Sequence, residues 1–178
     1  MRVNYRLPAL DELLRNASVP TEVRRTLAVV EVPFTDLDGC ERLGCLIVHS
    51  ELTVEVATLF REIHQARFPI ERMEPLHKYD WSDDRSMADN NTSAFNYRLV
   101  DGTDRLSMHA YGWAIDINPL MNPWQRGDAV TPPGATYDPT RPGTITEHGP
   151  VVCAFKARGW SWGGDWLHQK DWHHFEKS

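Results

Sequence analysis

One acidic residue lies in the middle of an apolar run. Asp116 stands between Ile115 and Ile117, where an ionised carboxylate is costly unless it is paired or bound to a metal. Taken alone, this observation favours a salt bridge to a nearby arginine over a metal. His109 precedes the run, and Gly112 between them allows the chain to turn. Since imidazole and carboxylate groups are standard zinc ligands, His109 and Asp116 are candidates for two ligands of one metal ion.

A third candidate ligand and a candidate base occur near the C-terminus, in the segment Asp-Trp-His-His-Phe-Glu at 171–176. Catalytic zinc sites usually have three protein ligands and an open position for water, and a nearby carboxylate can accept the proton of that water. On a regular strand Asp171 and His173 would share one face and His174 would point away, which favours His173 as the ligand. A spacing of three from Asp171 to His174 instead requires a bulge or a turn at Trp172.

The segment 107–116 fits the motif Ser-x-His-x-x-Gly-x-Ala-x-Asp in full. It resembles the zinc D,D-peptidases and L,D-endopeptidases of peptidoglycan (peptidase family M15), and in particular the D-alanyl-D-alanine carboxypeptidase-like branch. Asp171 and His174 fit the second motif of these enzymes, an acid three residues before the last ligand. The similarity extends over about residues 30–176 and includes the segments 66–70 and 91–96.

The resemblance implies a role for each motif residue. It makes His109, Asp116 and His174 the ligands of Zn²⁺ and Asp171 the general base. The D,D-dipeptidases have Glu at the position of the base, so Asp171 is more similar to the endolysin-like branch. The family also places an arginine near the scissile carbonyl, for which Arg98 is the closest match and Arg85 the rival.

The activity implied by the resemblance is hydrolysis of an amide bond in a peptidoglycan peptide that contains D-amino acids. The enzyme would be either a D,D-carboxypeptidase or an endopeptidase of the L-Ala–D-Glu type. One alternative is a zinc-binding module that has lost catalysis, as in Hedgehog-type domains, but the acid at Asp171 argues against it. The other is a zinc amidohydrolase of a small peptide unrelated to the wall, which the lack of a recognisable wall-binding module leaves open.

The composition of the chain limits the classes of partner that it can bind. The 178 residues carry a net charge of −6, and the basic residues are scattered apart from Arg24-Arg25, which argues against nucleic acid. No apolar run is long enough to span a membrane, and the N-terminal segment lacks the apolar stretch of a signal peptide. We expect a monomer that is made in the cytoplasm and acts at the cell wall or periplasm by an unknown route. Three cysteines, an odd number, favour free thiols.

The predicted elements indicate one domain over 1–178, with a helical extension at 1–25. The clearest helix covers 51–66, with Ser50 as its N-cap, and a second is predicted at 147–158. Strands are predicted at 26–34, 44–49, 112–117, 160–162 and 171–176, and a weak strand is predicted at 94–99. A long loop is predicted at 118–142.

Short strands and separate helices without βαβ alternation predict an α+β fold. In this fold a small, mostly antiparallel sheet carries the zinc site and helices flank it. By resemblance it is the fold shared with the Hedgehog signalling domain. Four tryptophans crowd the C-terminal segment and are expected in the core or in a substrate wall: Trp160, Trp162, Trp166 and Trp172.

Overall fold

A long hairpin follows two short helices in the computed structural model, which describes residues 8–178. These elements are α1 (Leu10–Leu13), α2 (Thr21–Arg24), β1 (Leu27–Thr35) and β2 (Glu41–His49). The two strands pair antiparallel over their whole length, from Leu27 opposite His49 to Thr35 opposite Glu41. The helical extension predicted at 1–25 is described from residue 8 onward, and its first seven residues lie outside the described part.

The predicted helix at 51–66 is confirmed as α3 (Thr53–Gln65), which packs on β1 through an apolar face. The buried residues of this face are Val56, Leu59, Phe60 and Ile63. The prediction of Ser50 as N-cap is wrong, because Ser50 lies inside a 3₁₀ turn, Ser50–Leu52, that precedes α3. The side chain of His49 caps that turn by accepting a hydrogen bond from the backbone N–H of Glu51.

The middle of the chain contains β3 (Arg72–Met73), α4 (Asp83–Ala88) and β4 (Asn91–Thr92), with β3 and β4 paired in parallel. The weak strand predicted at 94–99 does not form a regular ladder. Its backbone instead bonds to the turn that holds His109, since Asn96 N–H donates to the His109 carbonyl (3.1 Å) and Ser107 N–H donates to the Arg98 carbonyl (3.0 Å).

The C-terminal part supplies two further antiparallel sheets. Its elements are β5 (Ala114–Asp116), β6 (Trp124–Arg126), β7 (Ala129–Thr131), α5 (Pro150–Lys156), β8 (Ser161–Trp162), β9 (Lys170–Asp171) and β10 (His174–Glu176). One sheet has the order β5-β10-β8 and the other the order β7-β6-β9. The interpretation of 118–142 as one loop is therefore wrong in part. Strands β6 and β7 are mostly exposed and lack the apolar alternation that signals a strand.

The strand predicted at 171–176 is interrupted by a turn at Trp172 and His173. Its first half, β9, pairs with β6, and its second half, β10, pairs with β5 and β8. The turn lets one short segment contribute side chains to two sheets.

Helices α3 and α5 flank these sheets and enclose the main core, which confirms the predicted α+β class. Phe155 of α5 stacks on Phe175 of β10, with ring centroids 4.2 Å apart. None of the helices among residues 8–178 is both long and apolar enough to cross a membrane. The three cysteines are free thiols in this part of the chain, as predicted.

Candidate metal centre

His109 lies in a 3₁₀ turn, Met108–Tyr111, that packs tightly on the end of β2. The side chain of Ser107 caps the turn by accepting a hydrogen bond from the His109 backbone N–H (3.3 Å). Gly112 ends the turn at φ +73°, and its carbonyl accepts a hydrogen bond from His49 N–H (3.0 Å). A Cβ atom at Gly112 would lie 2.5 Å from the His49 nitrogen, so a glycine is required where the turn meets β2.

Asp116 is fixed on both sides by backbone pairing. Its N–H donates to the Ser93 carbonyl (2.8 Å), and its carbonyl accepts from Ser93 N–H (3.0 Å). On the other side Asp116 lies directly opposite His174 in the β5–β10 pair. Directly opposed residues of antiparallel strands project to the same face, so the carboxylate of Asp116 and the imidazole of His174 meet.

The side chains of His109, Asp116 and His174, which we call the candidate metal centre, converge on one point. His109 Nε2 lies 3.1 Å from Asp116 Oδ2 and 3.3 Å from His174 Nδ1. His174 Nδ1 lies 2.9 Å from Asp116 Oδ1. Each of the three residues is less than a tenth exposed.

The candidate metal centre attracts positive charge. Burial raises the pKa of Asp116, but the charges of His109 and His173 and hydrogen bonds from His109 and His174 outweigh it and hold that pKa well below its usual range. Burial lowers the pKa of His174, but hydrogen bonds with Asp116 and Glu176 outweigh it and raise that pKa to about 10. The field that favours protons on this cluster also favours a divalent cation in their place.

His174, and not His173, belongs to this cluster, because the turn at Trp172 and His173 breaks the strand alternation. His173 is buried beside the cluster, with Nε2 3.9 Å from Asp116 Oδ2. Its Nδ1–H donates to the Asn122 carbonyl (2.6 Å), which leaves its Nε2 facing Asp171 and Asp116. The alternative based on a regular strand is therefore not the arrangement of this chain.

Asp171 lies next to the candidate metal centre, with its carboxylate facing the imidazole of His173. The distance from Asp171 Oδ1 to His173 Nε2 is 2.9 Å, but the contact lacks the angles of a hydrogen bond. Within residues 8–178, this buried Oδ1 atom accepts no hydrogen bond of regular geometry, and its nearest charged neighbour is His173.

The comparison with protein families matches the segment that holds the candidate metal centre. Residues 101–177 match a family model described as D-alanyl-D-alanine carboxypeptidase. Through this segment the chain is similar to the M15 peptidases. The match covers less than half of the chain, and it contains His109, Asp116, Asp171 and His174. No curated protein and no solved structure matches the chain.

The three side chains of the candidate metal centre offer donor atoms that fit a metal ion. Two imidazole nitrogens and a carboxylate oxygen are typical ligands of zinc, with bonds of about 2.0–2.2 Å. Ligand atoms at the corners of a tetrahedron with such bonds lie about 3.3–3.6 Å apart. The distances of 2.9, 3.1 and 3.3 Å between the three donor atoms are close to that spacing.

The two arginines considered as partners of the scissile carbonyl lie in different settings. Arg85 is exposed and pairs with Asp80 at 2.7 Å. Arg98 is less exposed, and its guanidinium pairs with Asp83 at 2.9 Å. The carbonyl of Arg98 accepts a hydrogen bond from Ser107, which begins the His109 turn, and within residues 8–178 its buried Nε atom has no partner. Arg98 is thus tied to the site through the backbone, while its side chain is held by Asp83.

The C-terminal tryptophans divide between the core and the site. Trp160 and Trp162 are buried in the main core. The ring of Trp166 is half-buried and lies 5.7 Å from that of His174, centroid to centroid. The ring of Trp172 stacks on Tyr137 at 4.0 Å. The expected core position is confirmed for Trp160 and Trp162, and a place in a substrate wall stays a prediction for Trp166 and Trp172.

The sequence analysis did not identify three residues that support the site. Asn118 and Asn122 are fully buried, and both amides donate to the Gly143 carbonyl, which fixes the chain after β5. The sequence feature that could have indicated these two asparagines is the pair of Asn-Pro dipeptides in 118–123. Gly163 allows the approach of Asp171, because a Cβ atom there would lie 2.5 Å from the Asp171 carbonyl oxygen. The sequence feature that could have indicated Gly163 is the dipeptide Gly163-Gly164.

Proposed function

We propose that the chain is a zinc metallopeptidase that hydrolyses an amide bond in peptidoglycan peptides containing D-amino acids. The convergence of His109, Asp116 and His174 beside the carboxylate of Asp171, whose Oδ1 atom is buried, is the observation that carries this proposal. The matched family description, D-alanyl-D-alanine carboxypeptidase, supports the substrate class. We propose that the chain acts as a single domain and a monomer at the cell wall.

The proposed ligands of Zn²⁺ are His109 Nε2, a carboxylate oxygen of Asp116 and His174 Nδ1. A zinc ion in such a site polarises the scissile carbonyl and lowers the pKa of water that it binds. The three protein ligands leave a position open toward the substrate.

Asp171 is the proposed general base. Its Oδ1 atom accepts the proton of the attacking water, and the carboxyl group then donates that proton to the leaving amine. Arg98 is the proposed group that stabilises the negative charge on the carbonyl oxygen, which requires its guanidinium to leave Asp83 when substrate binds.

Digestion of a defined substrate tests this function. We expect the zinc-loaded protein to cleave a muropeptide with the stem L-Ala-D-Glu-…-D-Ala-D-Ala, and mass spectrometry of the products identifies the bond. Loss of the terminal D-Ala indicates a carboxypeptidase, whereas cleavage after L-Ala indicates an endopeptidase. A folded, zinc-loaded protein that leaves this muropeptide and whole peptidoglycan intact would contradict the proposal and favour a binding module or another amide substrate.

Substitutions of His173 and His174 form a matched pair that tests which of the two histidines binds zinc. His174→Ala should lose both zinc and hydrolysis, because the site loses a ligand. His173→Ala should retain zinc, since His173 is not one of the three residues whose donor atoms converge. Zinc content, measured by mass spectrometry on the dialysed proteins, distinguishes them, and the reverse result would show that His173 is the ligand.

A further inference from the structure

Glu176 lies on the same face of β10 as His174, two residues further along the strand. Its Oε2 atom is 3.2 Å from His174 Nε2, within hydrogen-bonding distance and geometry. The side chain of Glu176 is about one third exposed, whereas that of His174 is buried. The carboxylate thus covers the edge of the imidazole that faces away from Asp116.

The two nitrogens of His174 have different surroundings. Nδ1 faces Asp116 Oδ1 at 2.9 Å and His109 Nε2 at 3.3 Å, inside the candidate metal centre. Nε2 faces the carboxylate of Glu176, which accepts hydrogen bonds when ionised, so Nε2 is the donor of that contact. A hydrogen on Nε2 leaves the lone pair of Nδ1 available to a metal.

His109 shows the same arrangement with the nitrogens exchanged. Its Nδ1–H donates to the carbonyl of Ala94, and its Nε2 faces the candidate metal centre. Histidine ligands of metals almost always donate their second N–H to a carboxylate, a carbonyl or a water, which fixes the tautomer and the orientation of the ring. In this chain Glu176 is in the position to do this for His174.

The carboxylate of Glu176 has no competing ion pair. Among residues 8–178, His174 is the only ion-pair partner of Glu176 within 4.0 Å. The adjacent Lys177 binds Glu55 instead, at 2.6 Å. An acid at the end of a strand that served only as solvated surface would not need to lie against a buried imidazole.

We propose that Glu176 is a positioning residue that holds His174 with Nδ1 toward the metal by accepting a hydrogen bond from Nε2–H. The inference rests on the proposed function, because it takes His174 as a zinc ligand. Without an acceptor at this place, the Nδ1–H tautomer competes with the binding form, and the ring is free to turn away from Asp116 and His109. Glu176 itself neither binds the metal nor contacts the substrate.

The test compares zinc affinity in three variants. Glu176→Ala should raise the zinc dissociation constant about 10- to 100-fold, the usual effect of losing such a partner. Glu176→Gln should remain close to the wild type, since its amide oxygen can still accept a hydrogen bond from Nε2–H. Glu147→Ala, which removes an exposed glutamate, is the matched control and should bind zinc as the wild type does. Competition with a chromophoric chelator gives the constants, and circular dichroism verifies folding.

The tautomer of His174 provides a second measurement that needs no variant. In the zinc-loaded, ¹⁵N-labelled wild type, long-range ¹⁵N–¹H spectra should show His174 protonated at Nε2. Protonation at Nδ1 would overturn the proposal, as would a folded Glu176→Ala variant with the zinc affinity of the wild type. If His174→Ala also retains zinc, the ligand set of the proposed function fails. If His174→Ala loses zinc and Glu176→Ala does not, only the role of Glu176 fails.

Discussion

At the scale of single residues, the environment separates Asp171 from Asp116 although both are acids. Asp116 is surrounded by imidazole nitrogens, whereas the Oδ1 atom of Asp171 is buried next to one imidazole and, within residues 8–178, accepts no hydrogen bond. In the proposed function, a carboxylate in the environment of Asp171 takes a proton from a bound water. The proposal therefore gives the two carboxylates different roles, ligand and base, because their contacts differ.

Asp171→Asn tests the role of the base. The amide keeps the shape of the side chain but cannot accept a proton, so kcat should fall by about 10²–10⁴-fold while zinc content stays near that of the wild type. Zinc content and muropeptide hydrolysis are measured on the same sample. Asp128→Asn, an exposed acid between β6 and β7, is the control and should leave both unchanged. A zinc-loaded Asp171→Asn with the turnover of the wild type would exclude Asp171 as the base.

At the scale of elements, the site depends on the packing of short turns against longer strands. The His109 turn lies against the end of β2, and the Asp171–His174 turn connects two sheets. Neither turn has enough hydrogen bonds of its own to be stable alone. The His109 turn is held by its hydrogen bond with β2, and the Asp171–His174 turn is held by the pairing of β9 with β6 and of β10 with β5 and β8.

Gly112→Ala tests the packing of the His109 turn. Gly112 and Gly102 have nearly the same backbone angle, φ +73° and +72°, but a Cβ atom would meet the backbone of β2 only at Gly112. Both alanine variants should lose about 1–3 kcal/mol through backbone strain. Gly112→Ala should lose a further ~1–3 kcal/mol through the clash, and it should retain less zinc. Urea unfolding of the metal-free proteins measures the difference, and equal losses in the two variants would show that the close approach to β2 is unimportant.

At the scale of the whole molecule, a polar cluster ties the C-terminal strand to the central helix. Glu55 of α3 accepts hydrogen bonds from Lys177 (2.6 Å) and from the indole N–H of Trp160 (2.8 Å). Lys177 follows β10 directly, and Trp160 precedes β8. The cluster therefore holds the sheet that carries Asp116 and His174 against α3.

Glu55→Ala should lower the free energy of unfolding by about 1–3 kcal/mol, because the indole N–H of Trp160 is left buried without a partner. Glu55→Gln can still accept from that N–H and should cost less than about 1 kcal/mol at pH 7, as is typical of a partly exposed ion pair. Chemical unfolding measures both losses. Equal losses in the two variants would show that the charge of Glu55, and not its contact with Trp160, is what matters.

The contribution of the ion pair depends on pH in a defined direction. Burial raises the pKa of Glu55, but hydrogen bonds from Lys177 and Trp160 outweigh it, so the pKa in the folded protein is below the ordinary value of 4.5. A lowered pKa in the folded state means stabilisation that is fully present above about pH 4.5 and is lost as pH falls through the folded-state pKa. The difference in stability between wild type and Glu55→Gln should therefore shrink in acid, and a difference that grew in acid would contradict this.

The sequence alone determined the features that depend on local pattern. The apolar periodicity of 51–66 predicted α3, and the spacing of 107–116 predicted that His109 and Asp116 serve one site, since both depend on residues close in the chain. The α+β class followed from the pattern of elements, and the similarity to the M15 peptidases followed from the motif. The exposed strands β6 and β7 were missed because their side chains carry no apolar alternation.

Only the tertiary structure decided between His173 and His174, because the answer depends on where the backbone leaves one sheet and enters another. Local alternation favours His173, but β9 pairs with β6 and β10 pairs with β5, and the turn between them brings His174 opposite Asp116. The contact of Glu176 with His174 depends on that same register. Pairing between strands that are distant in the chain sets these positions, and a pattern of neighbouring residues holds no information about it.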